Sequence, residues 1–290
     1  MTVMQTAAPT MPQQTLARFG LFLLLTVIGF LIFALTMTFA PKLPLWTNYG
    51  ARAGFLVTFG ALWWVARGEY RISRFRPVFF SYFTAVLALS LGYLFGDWGL
   101  RLCGLTTHTA AGIAVAKFSQ ALLTIVGVLV TTRLCGESLA SLYMRKGRLI
   151  LSLSVGLIAF AACAVLAVQQ PAVKNLGMVK LAPIVPWIFL FVVSNAFMEE
   201  LLFRGLFLGR YEPLVGKWPA ILSTALAFTL AHMQVRYAPD IVGFLLVTLV
   251  LAITWAWLMH KTESLWGSAL FHAGADLLII VPIFKTLGAA

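Results

Sequence analysis

Two adjacent carboxylates, Glu199 and Glu200, lie in an apolar stretch of sequence that continues to Arg204. An ionisable side chain at the centre of a membrane helix costs about 3 kcal/mol even on lenient insertion scales, so a chain that keeps a pair of them gains something in return. Glu200 and Arg204 are four residues apart, in the order that favours an ion pair on one helix face. Glu199 points about 100° away from that face. The two carboxylates therefore have different surroundings, which suits them to different roles.

Two more pairs with the same four-residue spacing follow in later apolar segments. They are Phe228 with His232, and His272 with Asp276. An aromatic ring one turn before a histidine can shield it from lipid, and a carboxylate one turn after a histidine can fix the tautomer of its imidazole. The chain has only nine acidic residues and four histidines. Their concentration in the last third of the chain predicts one shared polar site.

Such a site could catalyse hydrolysis in either of two ways. A carboxylate can take a proton from water, while neighbouring groups stabilise a developing oxyanion. Alternatively, two imidazoles and two carboxylates could hold a divalent metal such as zinc or iron; these are the side chains of Glu199, His232, His272 and Asp276. The H-E-x-x-H pattern of common zinc proteases is absent from the sequence. We therefore expect no resident cofactor and keep a divalent metal as the alternative.

The remaining histidines, His108 and His260, differ from those in the predicted site. His108 follows two threonines in a polar loop, and His260 ends an apolar segment beside Lys261. We expect neither of them to be catalytic.

Membrane-spanning helices are the elements that must position the site. Of 290 residues, 61% are hydrophobic and 10% are charged, and the mean hydropathy is +0.95. The apolar stretches are continuous and of membrane-spanning length, which is typical of helices and not of strands. We predict an all-α, polytopic membrane protein with eight to nine transmembrane helices and a polar catalytic cavity in the C-terminal half. The predicted spans are 19–40, 46–66, 77–96, 110–132, 149–169, 182–203, 218–234, 239–259 and 265–287.

These spans divide the chain into three predicted regions. Residues 1–18 form a disordered N-terminal tail, 19–134 form the N-terminal transmembrane helices, and 135–290 form the catalytic membrane core. Within the core, residues 135–148 predict a short amphipathic helix at the membrane interface.

Membrane topology explains the net charge of +12. If the N-terminus is cytoplasmic and nine spans alternate, thirteen Lys and Arg residues fall on the inner side and seven on the outer side. Cytoplasmic loops carry such an excess. We expect a multi-pass protein of the inner or plasma membrane with a cytoplasmic N-terminus. Its partners would be the lipid bilayer and a membrane-associated polypeptide substrate, with no role for nucleic acid.

The three motifs in order resemble one family of enzymes. E-E-x-x-x-R at 199–204, F-x-x-x-H at 228–232 and H-x-x-x-D at 272–276 are similar to those of the CAAX protease and bacteriocin-processing family of intramembrane glutamic endopeptidases. This family includes the type II CAAX prenyl endopeptidases. The resemblance covers roughly residues 135–287.

The resemblance implies a role for each matching residue. Glu199 would be the general base that activates a water, and His232 would hold that water. His272 and Asp276 would line the pocket for the carbonyl oxygen. The supporting residues would be Glu200, Arg204 and Phe228.

Asp276 departs from the pattern, because CAAX-cleaving members carry asparagine there. An ionised carboxylate cannot donate a hydrogen bond to an oxyanion. Either Asp276 is protonated in its apolar site, or it orients His272, and we expect the second.

The expected activity is hydrolysis of a peptide bond in a membrane-associated or lipid-linked polypeptide. CAAX-type processing, leader-peptide removal and cleavage of a C-terminal sorting tail all fit. Two alternatives stay open: a non-catalytic membrane immunity or scaffold protein, and a proton-coupled transporter. The sequence has no clear internal repeat, which a transporter would usually show.

Overall fold

The computed structural model describes residues 11–174, 181–235 and 237–287, and within these ranges it consists of helices and connecting turns. The helices of eight or more residues are α1 (Met11–Phe33), α2 (Leu45–Val65), α3 (Arg76–Phe95), α4 (Ala110–Leu134), α5 (Leu149–Gln169), α6 (Val185–Glu200), α7 (Leu208–Val215), α8 (Lys217–Ala231), α9 (Ile241–Thr262) and α10 (Leu265–Leu287). Short α-helical turns cover Tyr70–Ser73, Trp98–Cys103 and Pro171–Lys174, and 3-10 turns cover Ala40–Lys42, Leu139–Leu142 and Ala182–Ile184. Two π-helical turns, Ala34–Thr38 and Leu201–Gly205, extend α1 and α6.

The predicted polytopic all-helical membrane fold is confirmed. Each predicted span coincides with a helix, and within the described residues seven helical stretches are long and apolar enough to cross a membrane. The other two predicted spans, α2 and α8, do not meet this standard. Seven helical stretches therefore meet it, compared with the eight to nine spans predicted. Helix α8 has 15 residues and is only about 22 Å long at 1.5 Å per residue. Helix α2 has 21 residues but carries polar side chains.

A buried cluster explains how α2 carries these polar side chains inside the bundle. Arg52 donates from Nε to Asn48 Oδ1 at 2.7 Å and from Nη2 to the Thr36 carbonyl oxygen at 2.6 Å. Its guanidinium also lies 4.1 Å from the centre of the Tyr93 ring. A buried charge is tolerated when hydrogen bonds replace its hydration. The cluster thus joins α2 to the end of the first span and to α3.

The connections between helices gather at two opposite faces. On the first face, which we call the basic face, Arg145 pairs with Glu263 at 3.1 Å and His260 contacts Glu212 at 3.0 Å. Arg18, near the start of α1, lies beside Trp218 at the start of α8. The basic face therefore holds the connections α2–α3, α4–α5, α6–α8 and α9–α10, together with the start of α1.

The remaining connections form what we call the opposite face. Here Lys42 donates to Gln234, which joins the α1–α2 and α8–α9 connections. Lys285, near the end of α10, donates to the Ala172 carbonyl oxygen in the α5–α6 connection. All helices except the short α7, which lies within a connection, thus run between the two faces in alternation, as a multi-pass topology requires.

Glycines let α5 and α10 approach closely beside the predicted site. A Cβ atom on Gly267 would overlap the carbonyl oxygen of Ser152, and one on Gly156 would overlap Gly267 itself. The Gly267 amide donates to Ser152 Oγ at 2.9 Å. Small residues permit such close helix packing in membranes, and here they fix the helix that carries His272.

Two local predictions are wrong. The tail predicted as disordered over 1–18 is helical from Met11, because Pro12 is tolerated in a first helical turn and the following residues favour helix; residues 1–10 lie outside the described ranges. The predicted amphipathic helix at 135–148 is a 3-10 turn over Leu139–Leu142. Positive φ angles at Gly136, Tyr143 and Gly147 interrupt the helix there.

Candidate active site

The site begins where α6 changes its helical form. Glu199 and Glu200 are the last residues of α6, and the π-helical turn Leu201–Gly205 follows directly. The amide of Leu206 donates to the Leu201 carbonyl oxygen at 3.0 Å, which closes the wider turn. Single π turns inside α-helices are frequent at functional sites. This one lies at the charged motif.

A fully buried ion pair lies at the base of the site. Arg204 Nη1 donates to Glu200 Oε1 at 2.8 Å, and neither side chain is exposed. Arg204 Nη2 donates to the Ala252 carbonyl oxygen at 3.3 Å, and the guanidinium lies 4.4 Å from the centre of the Phe228 ring. The predicted pair of Glu200 and Arg204 is confirmed. It joins α6 to α8 and α9.

Glu200 also holds His272 in place. It accepts a hydrogen bond from His272 Nδ1 at 3.0 Å, and the hydroxyl of Ser268 donates to its other oxygen. An ionised carboxylate only accepts hydrogen bonds, so the bonded Nδ1 carries a hydrogen. The Trp255 ring stacks on the imidazole with 4.0 Å between centroids and an 11° interplanar angle. The orientation of His272 is therefore fixed on two sides.

Asp276 does not orient His272 in the expected way. Its Oδ1 lies 3.6 Å from His272 Nε2, which is too long for a hydrogen bond. Glu200 occupies that role instead, because it reaches the other ring nitrogen from α6. Asp276 accepts a hydrogen bond from Asn195 Nδ2 at 2.9 Å.

Glu199 has the environment expected of a reacting group. Its side chain is 7% exposed, and Oε2 lies 3.6 Å from His272 Nε2. Among the described residues, this oxygen has no hydrogen-bond partner. Buried carboxylate oxygens are nearly always paired. Because Glu199 also lines a cavity, its carboxylate is suited to accept a proton from a water or to bind a substrate group.

His232 lies where α8 ends. It follows the last residue of that helix, and its Nδ1 lies 2.9 Å from the Phe228 carbonyl oxygen. The two rings lie 4.4 Å apart, so the predicted pair of Phe228 and His232 is in contact. Because a carbonyl oxygen accepts, Nδ1 carries the hydrogen and Nε2 has a free lone pair.

One cavity of about 590 Å³ brings the predicted site residues together. Its walls include all four predicted catalytic residues: Glu199, His232, His272 and Asp276. Phe228 also lines it, whereas Glu200 and Arg204 lie behind the wall. Most of the remaining wall is apolar, including Val247, Leu251 and Ile279. A mostly apolar pocket with a few convergent polar groups is typical of a binding site.

Sequence reasoning missed four residues of the site. Asn195 and Ser268 lie one turn before Glu199 and His272, so extending the four-residue spacing backwards would have found both. Trp255 on α9 and Lys117 on α4 come from other helices. No spacing rule connects these two residues to the motifs.

The described residues do not form a metal site. No three His, Cys, Asp or Glu side chains among them are grouped to hold an ion. His272 uses Nδ1 for Glu200, so only its Nε2 faces Glu199 and Asp276, each at 3.6 Å. His108 is exposed in its loop and His260 contacts Glu212 on the basic face, so neither lines the cavity.

The comparison with family models identifies the region that contains this site. Residues 181–278 match the family described as Type II CAAX prenyl endopeptidase Rce1-like. The match contains all three motifs and all seven residues predicted to form or support the site. No curated protein and no solved structure matches the chain. Over this region, the chain is thus similar to the CAAX protease and bacteriocin-processing family of intramembrane endopeptidases, as its motifs predicted.

Proposed function

We propose that the protein hydrolyses a peptide bond of a membrane-associated or lipid-linked polypeptide, using a water that Glu199 activates. The observation that carries this proposal is the buried, unpaired Oε2 of Glu199 on the wall of an apolar cavity. His232 lines the same cavity with its Nε2 lone pair free. A carboxylate base and a second acceptor beside one apolar pocket are what water activation requires.

The proposed reaction proceeds by proton transfer through Glu199. The carboxylate takes one proton from a water whose other hydrogen bonds to His232 Nε2, and the resulting hydroxide attacks the carbonyl carbon. Glu199 then gives the proton to the leaving amine as the carbon–nitrogen bond breaks. The buried pair of Glu200 and Arg204 keeps His272 beside the reacting carbonyl. In its doubly protonated form, His272 donates from Nε2 to the oxyanion.

Asn195 is the second proposed donor to the oxyanion. Asp276 cannot donate when ionised, but it accepts from one hydrogen of the Asn195 amide and so fixes that group at the cavity wall. The other amide hydrogen is then available to the carbonyl oxygen of a substrate. Asn195 lies one turn before Glu199, so the base and the donor share a helix face.

Variants at these two positions should behave differently. Loss of one oxyanion donor lowers kcat by about 10²- to 10³-fold, which we expect for Asn195→Ala with little change in KM.

Asp276→Asn should retain activity within about tenfold, because the new amide can itself donate. The double variant Asn195→Asp/Asp276→Asn exchanges the two groups and should recover much of the activity that Asn195→Asp loses. Equal and severe losses in Asp276→Asn and Glu199→Ala would contradict these roles.

A reconstituted reaction tests the proposal directly. Membranes from cells that carry Glu199→Gln should contain uncleaved precursors, so they supply the substrate before it has been identified. Purified wild-type protein added to a detergent extract of these membranes should generate new peptide termini. His108→Ala should act like wild type because it lies outside the cavity, whereas His232→Ala should be much slower. An absence of new termini with correctly folded wild-type protein would refute hydrolysis.

The same extract distinguishes the carboxylate mechanism from the metal alternative. A strong chelator should leave the rate of cleavage unchanged, because the proposed reaction uses the Glu199 carboxylate as its base and requires no ion. Elemental analysis of the purified protein should accordingly find no stoichiometric zinc or iron. Loss of activity on chelation, with recovery on adding back one divalent metal, would support the metal-dependent mechanism instead.

A further inference from the structure

Part of the cavity wall lies on the side of the opposite face. Lys117 is the eighth residue of α4, and Asn195 precedes Glu199 on α6, on the side of the opposite face. Thr38, Gln234 and Tyr237, in or beside the connections of that face, also line the cavity. Tyr237 is 45% exposed. The cavity thus extends from Glu199 to the opposite face.

Between Glu199 and the basic face, the side chains pack tightly. Every residue from Leu201 to Leu208 is buried, and the large side chains among them are at most 2% exposed. The Phe203 ring stacks on Phe33 with 3.8 Å between centroids and meets Phe228 edge-on at 5.0 Å. The cavity that Glu199 lines includes no residue from the basic-face connections among its described walls. A substrate that follows this cavity from its mouth at Tyr237 therefore reaches Glu199 from the side of the opposite face.

Charge distinguishes the two faces. The basic face carries two dense groups of cations, which are Arg67, Arg71, Arg74 and Arg76 up to the first residue of α3, and Arg145, Lys146 and Arg148 before α5. The described cations outside the bundle on the opposite face are fewer and scattered, namely Lys42, Arg101, Lys174 and Lys285. Short cytoplasmic loops carry the excess of Lys and Arg in membrane proteins. The basic face is therefore the cytoplasmic one.

We infer that the cavity opens on the extracytoplasmic side of the membrane, and that the substrate is the apolar segment of an exported polypeptide that reaches the site from that side. This inference rests on the proposed peptidase function and specifies its substrate class. A leader segment or a C-terminal sorting tail fits, because both leave an apolar stretch in the bilayer next to translocated chain. A lipidated C-terminus held in the cytoplasm would meet the closed face.

The native cysteines provide the first test. Cys103 is exposed at the end of the turn Trp98–Cys103 on the opposite face, whereas Cys135 follows α4 on the basic face. A membrane-impermeant maleimide applied to intact cells should label Cys103 as fully as it does after permeabilisation. Mass spectrometry would identify the modified residue, so this arm uses the unaltered chain. Labelling of Cys103 only after permeabilisation would overturn the inference.

Two introduced cysteines extend the test to the cavity mouth and to the basic face. In a Cys103→Ser background, Tyr237→Cys should be labelled in intact cells, while Ser73→Cys, exposed before α3, should be labelled only after permeabilisation. The reverse pattern would place the mouth in the cytoplasm. Labelling does not depend on proteolysis, so that result would overturn the substrate class and leave the peptidase proposal standing. Failure of the proposed function would instead show as unchanged peptide termini in the Glu199→Gln cells.

Discussion

Replacing Glu199 with glutamine is expected to slow precursor cleavage by about 10²- to 10⁴-fold, the usual contribution of a general base. Glutamine keeps the size of the side chain but cannot take the proton of the attacking water. Glu199 Oε2 makes no hydrogen bond to another described residue, so the change at this oxygen breaks no hydrogen bond of the fold. The rate of precursor processing in pulse–chase labelling and the thermal unfolding midpoint in detergent would measure the two effects separately.

Glu263→Gln is the matched control for this variant. Glu263 is exposed on the basic face, where it pairs with Arg145, and exposed pairs contribute little to stability. It should process the precursor at the wild-type rate. If Glu199→Gln were as active as this control, Glu199 would not be the base. If instead it lost activity together with its thermal stability, the loss would reflect misfolding.

Replacing Arg204 with alanine should give the largest loss of stability. Glu200 and Arg204 are both fully buried, and removing one partner of a buried pair typically costs about 3–5 kcal/mol because the other charge is left uncompensated. His272 depends on Glu200 for its orientation, so activity should fall with stability. The shift in denaturant-induced unfolding of the purified protein would measure the cost in free energy.

The double variant Glu200→Gln/Arg204→Met separates the pair's charge from its packing. It removes both charges while keeping side chains of similar length, and apolar replacement of a whole buried pair is often nearly neutral. Its unfolding free energy should therefore be closer to wild type than that of Arg204→Ala. The orienting carboxylate for His272 would still be lost, so activity should remain low. Equal destabilisation in the single and double variants would show that packing, and not the uncompensated charge, dominates.

Helical periodicity predicted the parts of the site that lie within single helices. The four-residue spacing brought together Glu200 with Arg204 and Phe228 with His232, because residues at that spacing share a helix face. Apolar segment length predicted each of the long helices that run between the two faces. These features depend on local sequence, so they can be found without considering how the helices pack together.

Tertiary packing decided the rest of the site. Which carboxylate reaches His272 Nδ1 depends on how α6 and α10 pack, and the close approach at Gly267 was not part of any motif. Trp255 and Lys117 enter the cavity from helices that carry no motif residue. The π turn after Glu200 is a change of helical form inside an apolar run, where hydrophobicity gives no signal. The side on which the cavity opens depends on α8 being short and on the packing of Leu201–Leu208.

A terminal-peptide survey of membrane proteins is the most direct test of peptide hydrolysis by Glu199. Cells that carry wild type, Glu199→Gln or Glu263→Gln would be compared by mass spectrometry of protein N- and C-termini. We predict that at least one precursor accumulates uncleaved with Glu199→Gln only, and that its cleavage site lies in or beside an apolar segment. Identical termini in all three, with a biological defect confined to Glu199→Gln, would contradict proteolysis and favour proton-coupled transport.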